Sequence, residues 1–206
     1  MKTKGAFPPS AYQGLPLSPL VEAYLEINQL KHLYRQGWLR RGIPAEQCET
    51  VAEHVFGMVM LAWWIADLYF PTLNREHVIR LVLVHELGEV YTGDLTPSDG
   101  VDALEKHRLE REAVRRVVAK LPRGAEYLAL WEEYEALQTL EARLVKQIDR
   151  LEMALQASVY ERQGWGNMEE FFQTTAAALE DPVLIQILQE IQNLRPTNLE
   201  SGIPPH

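Results

Sequence analysis

Leu81-Val82-Leu83-Val84-His85-Glu86-Leu87-Gly88-Glu89 sets an imidazole and two carboxylates directly after a run of four apolar residues. Such a run belongs in a core, and charge carried into a core must be paired or bound to metal. A divalent cation serves all three groups at once, since histidine nitrogen and carboxylate oxygen are its ordinary ligands. On a helix His85 and Glu89, four residues apart, share a face. His85 and Glu86 then stand about 100° apart, close enough for two long side chains to converge on an ion between them. A zinc-protease helix requires a second histidine four residues after His85. Glu89 occupies that position, so the segment is a different motif.

Outward from this stretch the sequence is punctuated for helices. Asn74 caps the helix that carries it, expected to run to about Gly88. Upstream, Thr50-Val51-Ala52-Glu53 is a capping box. It opens a helix that Pro71 ends near Phe70. Residues 51–70 and 78–87 are apolar on nearly every side, the pattern of helices at the centre of a domain. Between them they carry His54, His85 and Glu86. Ser18-Pro19 starts an earlier helix, with a stripe of Leu20, Tyr24, Ile27, Leu30 and Leu33, that stops near Gly37.

Downstream, helices are expected over about 101–120, 125–137, 139–163 and 168–179, and Asp181-Pro182 opens a last one. The 139–163 helix lines Leu140, Leu144, Ile148, Leu151, Leu155 and Val159 along one side. Asp149 follows Val145 by four residues and so turns partly inward; taken alone, it also reads as a surface acid paired with Arg150 or Lys146. No segment alternates with period two over six residues, so no strand is expected. The fold class is all-α, a non-symmetric helical bundle over residues 18–195. Residues 1–17 are expected to be an extended or frayed arm and residues 196–206 a tail.

Composition narrows the function. The 206 residues are enough for one domain with a full core. A net charge of -9 repels a polyanion, which weighs against nucleic acid as a partner but not against a small phosphorylated substrate held by a metal. Cys48 is the single cysteine, so no intramolecular disulfide forms, and a reducing, cytoplasmic setting is expected. The longest apolar run, Val55 to Ala66, is twelve residues, short of the roughly 20 a membrane span needs. No apolar core follows the two lysines near Met1, so no signal peptide and no membrane partner are expected.

The order His54, then the doublet His85-Glu86, then a distant Asp149 resembles the pattern of HD-domain phosphohydrolases. The likeness extends to Gly37-Trp38, to residues 84–97 with Gly-Glu-Val-Tyr-Thr-Gly-Asp-Leu-Thr-Pro, and to Glu105-Lys106-His107-Arg108. It also takes in Leu130-Trp131-Glu132-Glu133-Tyr134 and Val145-Lys146-Gln147-Ile148-Asp149. Over about residues 17–195 the chain is similar to the branch containing the 5'-deoxynucleotidases. The resemblance implies an HD-domain helical bundle that hydrolyses deoxyribonucleoside 5'-monophosphates to deoxynucleoside and phosphate. By the same resemblance His54, His85, Glu86 and Asp149 hold one divalent ion, whether Mn, Co, Zn, Fe, Ni or Mg. Glu89 orients or deprotonates the attacking water, Asp94 acts near the scissile group or reads the sugar, and Trp38 lines the substrate pocket. A homodimer is implied as well. Arg40, Arg41 and Lys106 are candidates for phosphate contacts.

Two positions depart from that pattern. The doublet is His-Glu where the family has His-Asp, which moves the carboxylate out by about 1.5 Å, one carbon–carbon bond. Bacterial nucleotidases of the branch often place an arginine before the tryptophan; here Gly37 stands there, and Arg41 is the expected substitute. The first departure keeps a catalytically weak or inactive HD-fold binding or scaffold protein in view. A phosphodiesterase or nucleoside triphosphate hydrolase of the same superfamily shares the ligand set and stays an alternative.

Overall fold

A computed structural model describes residues 1–96 and 99–196. The expected tail, apart from residue 196, and Pro97 of the quoted motif lie outside them. The helices are α1 (Pro19–Ile27), α2 (Gln36–Arg40), α3 (Val51–Tyr69), α4 (Arg75–Val84) and α5 (Glu89–Thr92), followed by α6 (Ala103–Val118), α7 (Gly124–Glu135), α8 (Leu140–Arg162), α9 (Glu169–Ala178) and α10 (Pro182–Asn193). Among the described residues the only β pairing is two isolated bridges, so the all-α expectation holds.

Local chemistry sets most helix starts. Ser18, Thr50, Asn74, Asp102, Thr139 and Asp181 each accept a hydrogen bond from a backbone N–H of the first turn they cap. At Thr50 the capping box closes in both directions, with Glu53 returning the bond to the Thr50 N–H at 2.6 Å. Each such cap stabilises its helix by roughly 1 kcal/mol.

The central element is α8, which packs against α3, α4, α7, α9 and α10. Leu144, Val145, Ile148, Leu151, Ala154 and Ala157 are all buried along it. Truncating Leu151, fully buried, to alanine would cost about 2–5 kcal/mol. The stripe expected on this helix holds at Leu144, Ile148 and Leu151, but Leu140 and Val159 near its ends are exposed. Both lie on the outward side of the helix, since their neighbours Ala142 and Tyr160 are buried.

Other expectations are corrected. Helix α3 is not central on every side: Val51, His54, Met58, Ala62 and Ile65 face α4 and α8, while Phe56, Trp63, Trp64, Leu68 and Tyr69 are exposed. Leu20 and Tyr24 of α1 face outward as well, and the helix instead buries Ala23 and Glu26. Glu26 turns inward because Tyr91 donates to it at 2.6 Å and Lys120 pairs with it at 2.7 Å.

The N-terminal segment is not frayed. Thr3 bridges to Leu33, and the Lys4 N–H donates to the His32 carbonyl at 2.7 Å. Gln36 exchanges two hydrogen bonds of 2.9 Å with the Lys2 backbone. Residues 8–12 form a 3-10 helix, and Phe7 packs its ring against Tyr91. Backbone groups that read as loop in one dimension find partners in a distant stretch of chain.

The most consequential correction concerns α4, which ends at Val84 rather than Gly88. Residues 85–88 form a tight turn, with Leu87 N–H to Val84 O at 3.0 Å and Glu89 N–H to Glu86 O at 3.1 Å. A Cβ on Gly88 would lie 2.6 Å from the Glu110 Cβ, so α6 approaches the turn as only a glycine permits.

Candidate active site

Four elements meet at the site. The capping box holds the first turn of α3 and with it His54, one turn on. The end of α4 supplies His85, the turn after it Glu86, α5 Glu89, and the middle of α8 Asp149. Because residues 85–89 turn more tightly than an α-helix, the spacing argument for a shared helical face does not apply. The turn brings His85 Nε2 to 3.5 Å from Glu86 Oε1 instead.

The four expected ligands converge. His54 Nε2 lies 3.3 Å from Asp149 Oδ1 and 3.8 Å from Glu86 Oε1. One ligand atom from each of His54, His85, Glu86 and Asp149 falls within 4.8 Å of the others. Ligands held at ~2.1 Å from one ion are separated by roughly 3–4 Å, which these distances match.

Both imidazoles are prepared for such a role. His85 Nδ1–H donates to the Val82 carbonyl at 2.7 Å, and His54 Nδ1–H donates to Glu152 Oε2 at 2.6 Å. The Nε2 atoms of both rings are buried without a hydrogen-bond partner, as is Glu89 Oε2. Orphaned buried polar atoms are rare in folded proteins, and three facing one acidic cluster have the chemistry of a cation site. The residues present therefore fit a divalent ion.

The electrostatics say the same. Burial opposes ionisation of Glu86, yet His85, Arg35 and His54 hold its carboxyl well below the usual range. Asp149 is likewise held down against its burial by His54 and His85. Burial and the Arg35 charge disfavour a protonated His54, but Glu152 and Asp149 outweigh them and raise it to about 10. Glu89 behaves in the opposite way: burial, then Glu86 and Asp94, push its carboxyl well above the ordinary value.

A cavity of about 650 Å³ opens above the cluster. His85, Glu86, Glu89, Asp94 and Asp149 line it, as do the expected contacts Trp38, Arg41 and Lys106. Trp38 is almost fully buried, its ring held between Phe171 and Tyr160 and its Nε1–H donating to Glu49 at 2.7 Å. Lys106 reaches the Leu95 carbonyl at 3.0 Å and sits 3.5 Å from Glu110. Arg41 pairs with Glu170 on the exposed side of the cavity and stacks over Phe171. Arg40 pairs with Asp99 at 2.6 Å.

Three site residues escaped the sequence reading. Arg35 lies 3.1 Å from Glu86 and 3.6 Å from Asp94, mostly buried, whereas Arg41, the expected substitute, pairs with Glu170. Arg35 stands three residues upstream of Trp38, at the start of α2. The Gln36 backbone N–H also donates to Asp94, so this one segment fixes the Asp94 carboxylate. Glu152 and Glu49 lie behind His54, and all three offer ligand atoms within 4.8 Å of one another. A signal for Glu152 did exist: it follows Asp149 by three residues and so shares its helix face.

Residues 27–192 match the family model described as an HD domain. A human protein named 5'-deoxynucleotidase HDDC2 is 35% identical over 202 residues, 96% of this chain and 97% of its own. A Saccharomyces cerevisiae protein named 5'-deoxynucleotidase YBR242W is 34% identical over 165 residues, 76% of this chain and 67% of its own. Among solved structures, the PH0347 protein of Pyrococcus horikoshii is similar with a TM-score of 0.72 at 28% identity, covering 85% of this chain and 99% of that one. A predicted metal-dependent phosphohydrolase of Magnetospirillum magnetotacticum reaches 0.65 at 25% identity, covering 85% and 90%.

Proposed function

The chain belongs to the HD-domain family, and on that premise we propose that it is a metal-dependent 5'-deoxynucleotidase. It hydrolyses deoxyribonucleoside 5'-monophosphates to the deoxynucleoside and inorganic phosphate. The observation that carries the reading is the pair of orphaned Nε2 atoms of His54 and His85, set with Glu86 and Asp149 at the base of a cavity of about 650 Å³. That volume lies within the usual range for a small-molecule site.

His54, His85, Glu86 and Asp149 are the residues that would hold the ion. When bound, a divalent ion neutralises charge on the phosphate, acts as a Lewis acid and makes water a better nucleophile at neutral pH. The remaining work belongs to the chain. Arg35 and Lys106 bring positive charge close to the acids of the cavity, which a phosphate dianion requires. Glu89, its Oε2 without a partner, takes the proton of the attacking water as the new P–O bond forms, and returns it to the leaving O5' as the P–O5' bond breaks, which gives the deoxynucleoside hydroxyl. Asp94, held by Arg35 and the Gln36 N–H, is assigned to the sugar side. Trp38 forms the wall.

The assembly we assign is a homodimer. It is supported by the apolar side chains α3 leaves in solvent: Phe56 is 70%, Trp63 45% and Trp64 55% exposed. By helical spacing the three lie within roughly 100° of one side. Monomers seldom expose large apolar groups in such a cluster.

The test is phosphate release from a panel of deoxy- and ribonucleoside monophosphates, after stripping metal and restoring Mn, Co, Zn and Mg singly. Metal-dependent release from deoxynucleotides in preference to ribonucleotides is the expected result. Folded protein that releases no phosphate with any metal would overturn the proposal.

A further inference from the structure

Helix α8 grips one imidazole from both sides. Asp149 and Glu152, three residues apart on one face, flank His54: Asp149 Oδ1 stands 3.3 Å from Nε2, and Glu152 Oε2 accepts from Nδ1–H at 2.6 Å. Glu152 is almost fully buried, so this carboxylate is committed to the ring rather than shared with solvent. A carboxylate behind a ligating histidine fixes its orientation and tautomer and raises its basicity as a ligand.

The opposing helix makes room for the arrangement. On α3, one turn past His54, stands Gly57, where a Cβ would come to 3.1 Å from Glu152 Oε1. That separation is tighter than ordinary van der Waals contact, so a side chain at 57 would press on the carboxylate. Behind Glu152 lies Glu49, whose Oε1 accepts from Trp38 Nε1–H at 2.7 Å. The run Trp38, Glu49, Glu152, His54 therefore joins the cavity wall to the acidic cluster. Glu49, His54 and Glu152 lie close enough to suggest a second cation site. However, the His54 Nδ1–H and the Trp38 N–H already occupy Glu152 and Glu49, which makes these carboxylates supports and not ligands.

The geometry points to Glu152 as a positioning residue for the metal centre: by accepting from His54 Nδ1–H it turns the Nε2 lone pair into the site, and Gly57 provides the space it needs. His85 is held through a neutral backbone carbonyl, so of the two imidazoles His54 has the charged support and depends on it more. The inference rests on reading the cluster as a metal site.

The experiment measures Zn²⁺ affinity by competition with a chromophoric chelator for wild type, Glu152→Gln, Glu152→Ala and Gly57→Ala, with circular dichroism establishing that each is folded. Proton NMR of the Zn-loaded proteins then follows the His54 Nδ1–H resonance. The expected Kd rises by about 10–100-fold for Glu152→Ala. Glu152→Gln falls between wild type and alanine, because its carbonyl still accepts the bond. Gly57→Ala weakens binding with no change of charge, and shifts the Nδ1–H resonance without abolishing it. An alanine variant within threefold of wild type would overturn the assignment, as would glutamine no better than alanine, which would leave only a charge effect. Wild type that takes up no Zn²⁺ or Mn²⁺ would overturn the metal-site reading itself, an outcome distinct from either.

Discussion

Arg35 Nη1 lies 3.1 Å from Glu86 Oε1, joining the start of α2 to the turn after α4 across 51 residues of sequence. An expected metal ligand is thus paired with a buried cation that also lines the cavity. An ion held by Glu86 would take up that carboxylate's charge and leave the guanidinium to meet a phosphate in the cavity. Arg35→Ala should lower kcat/KM for a deoxynucleotide by about 10²–10³-fold, the usual loss when a donor to developing charge is removed. Arg35→Lys should recover only part of it, since lysine lacks the planar fork that binds oxyanions in pairs. Steady-state kinetics on both variants decide the matter, and an unchanged kcat/KM in Arg35→Ala would remove Arg35 from the phosphate site.

Asp149 and Glu89 should separate by what they lose. Asp149 is a member of the converging cluster, so Asp149→Ala should lose metal and turnover together. Glu89 stands outside that cluster with one oxygen free, so Glu89→Gln should keep the metal and lose turnover by at least about 10²-fold. Metal content by elemental analysis, set beside phosphate release, tests the division. Equal metal loss in both variants would make Glu89 a ligand.

Which of these features the sequence discloses depends on the range of the forces behind them. The caps at Thr50, Asn74 and Asp181 are contacts over two or three residues and can be read directly. His54, His85, Glu86 and Asp149 can be read because buried charge next to apolar runs demands a partner, and the family resemblance orders them. The end of α4 cannot: it follows from α6 closing on Gly88 through Glu110, 22 residues away. Arg35 is silent for a similar reason, since its partners Glu86 and Asp94 are supplied only by the fold. Periodicity shows that α1 and α3 have apolar sides, but not that Tyr24, Phe56 and Trp63 face outward.

Glu110 gives the metal-free protein a pH signature. Burial pushes its carboxyl up to about 7, with Lys106 3.5 Å away opposing and Glu86 adding to the rise. An unfolded glutamate titrates near 4.3, so between about 4.3 and 7 the folded chain holds a proton that the unfolded chain has released. Stability therefore falls as pH rises through this window and levels off above it, by at most on the order of 4 kcal/mol for this group. Glu49, also raised to about 7 by burial and then Glu152, acts in the same direction, so Glu110→Gln should flatten the fall without abolishing it. Thermal unfolding midpoints from pH 4.5 to 8 on wild type and variant measure the slope. A slope that Glu110→Gln leaves unchanged would show that the buried carboxyl is already ionised.

The exposed side of α3 tests the assembly. Phe56, Trp63 and Trp64 do not line the cavity, so changing them separates association from chemistry. Aromatic side chains bury ~150–250 Å² each, and three of them with their neighbours supply much of the roughly 800 Å² per partner of a standard interface. A charge placed at the middle of such a patch meets its own copy across a two-fold axis and must be desolvated there, which disfavours the dimer twice over. Phe56→Glu combined with Trp63→Glu should convert a dimer to a monomer in sedimentation velocity, with helical content unchanged because both positions are already in water. Phosphate release per chain should then stay within a fewfold of wild type, since neither substituted side chain lines the cavity. A wild-type protein that sediments as a monomer at tens of micromolar would defeat the dimer assignment. A monomeric double variant that has lost turnover would instead mean that the partner helps to hold α3, and with it His54, in place.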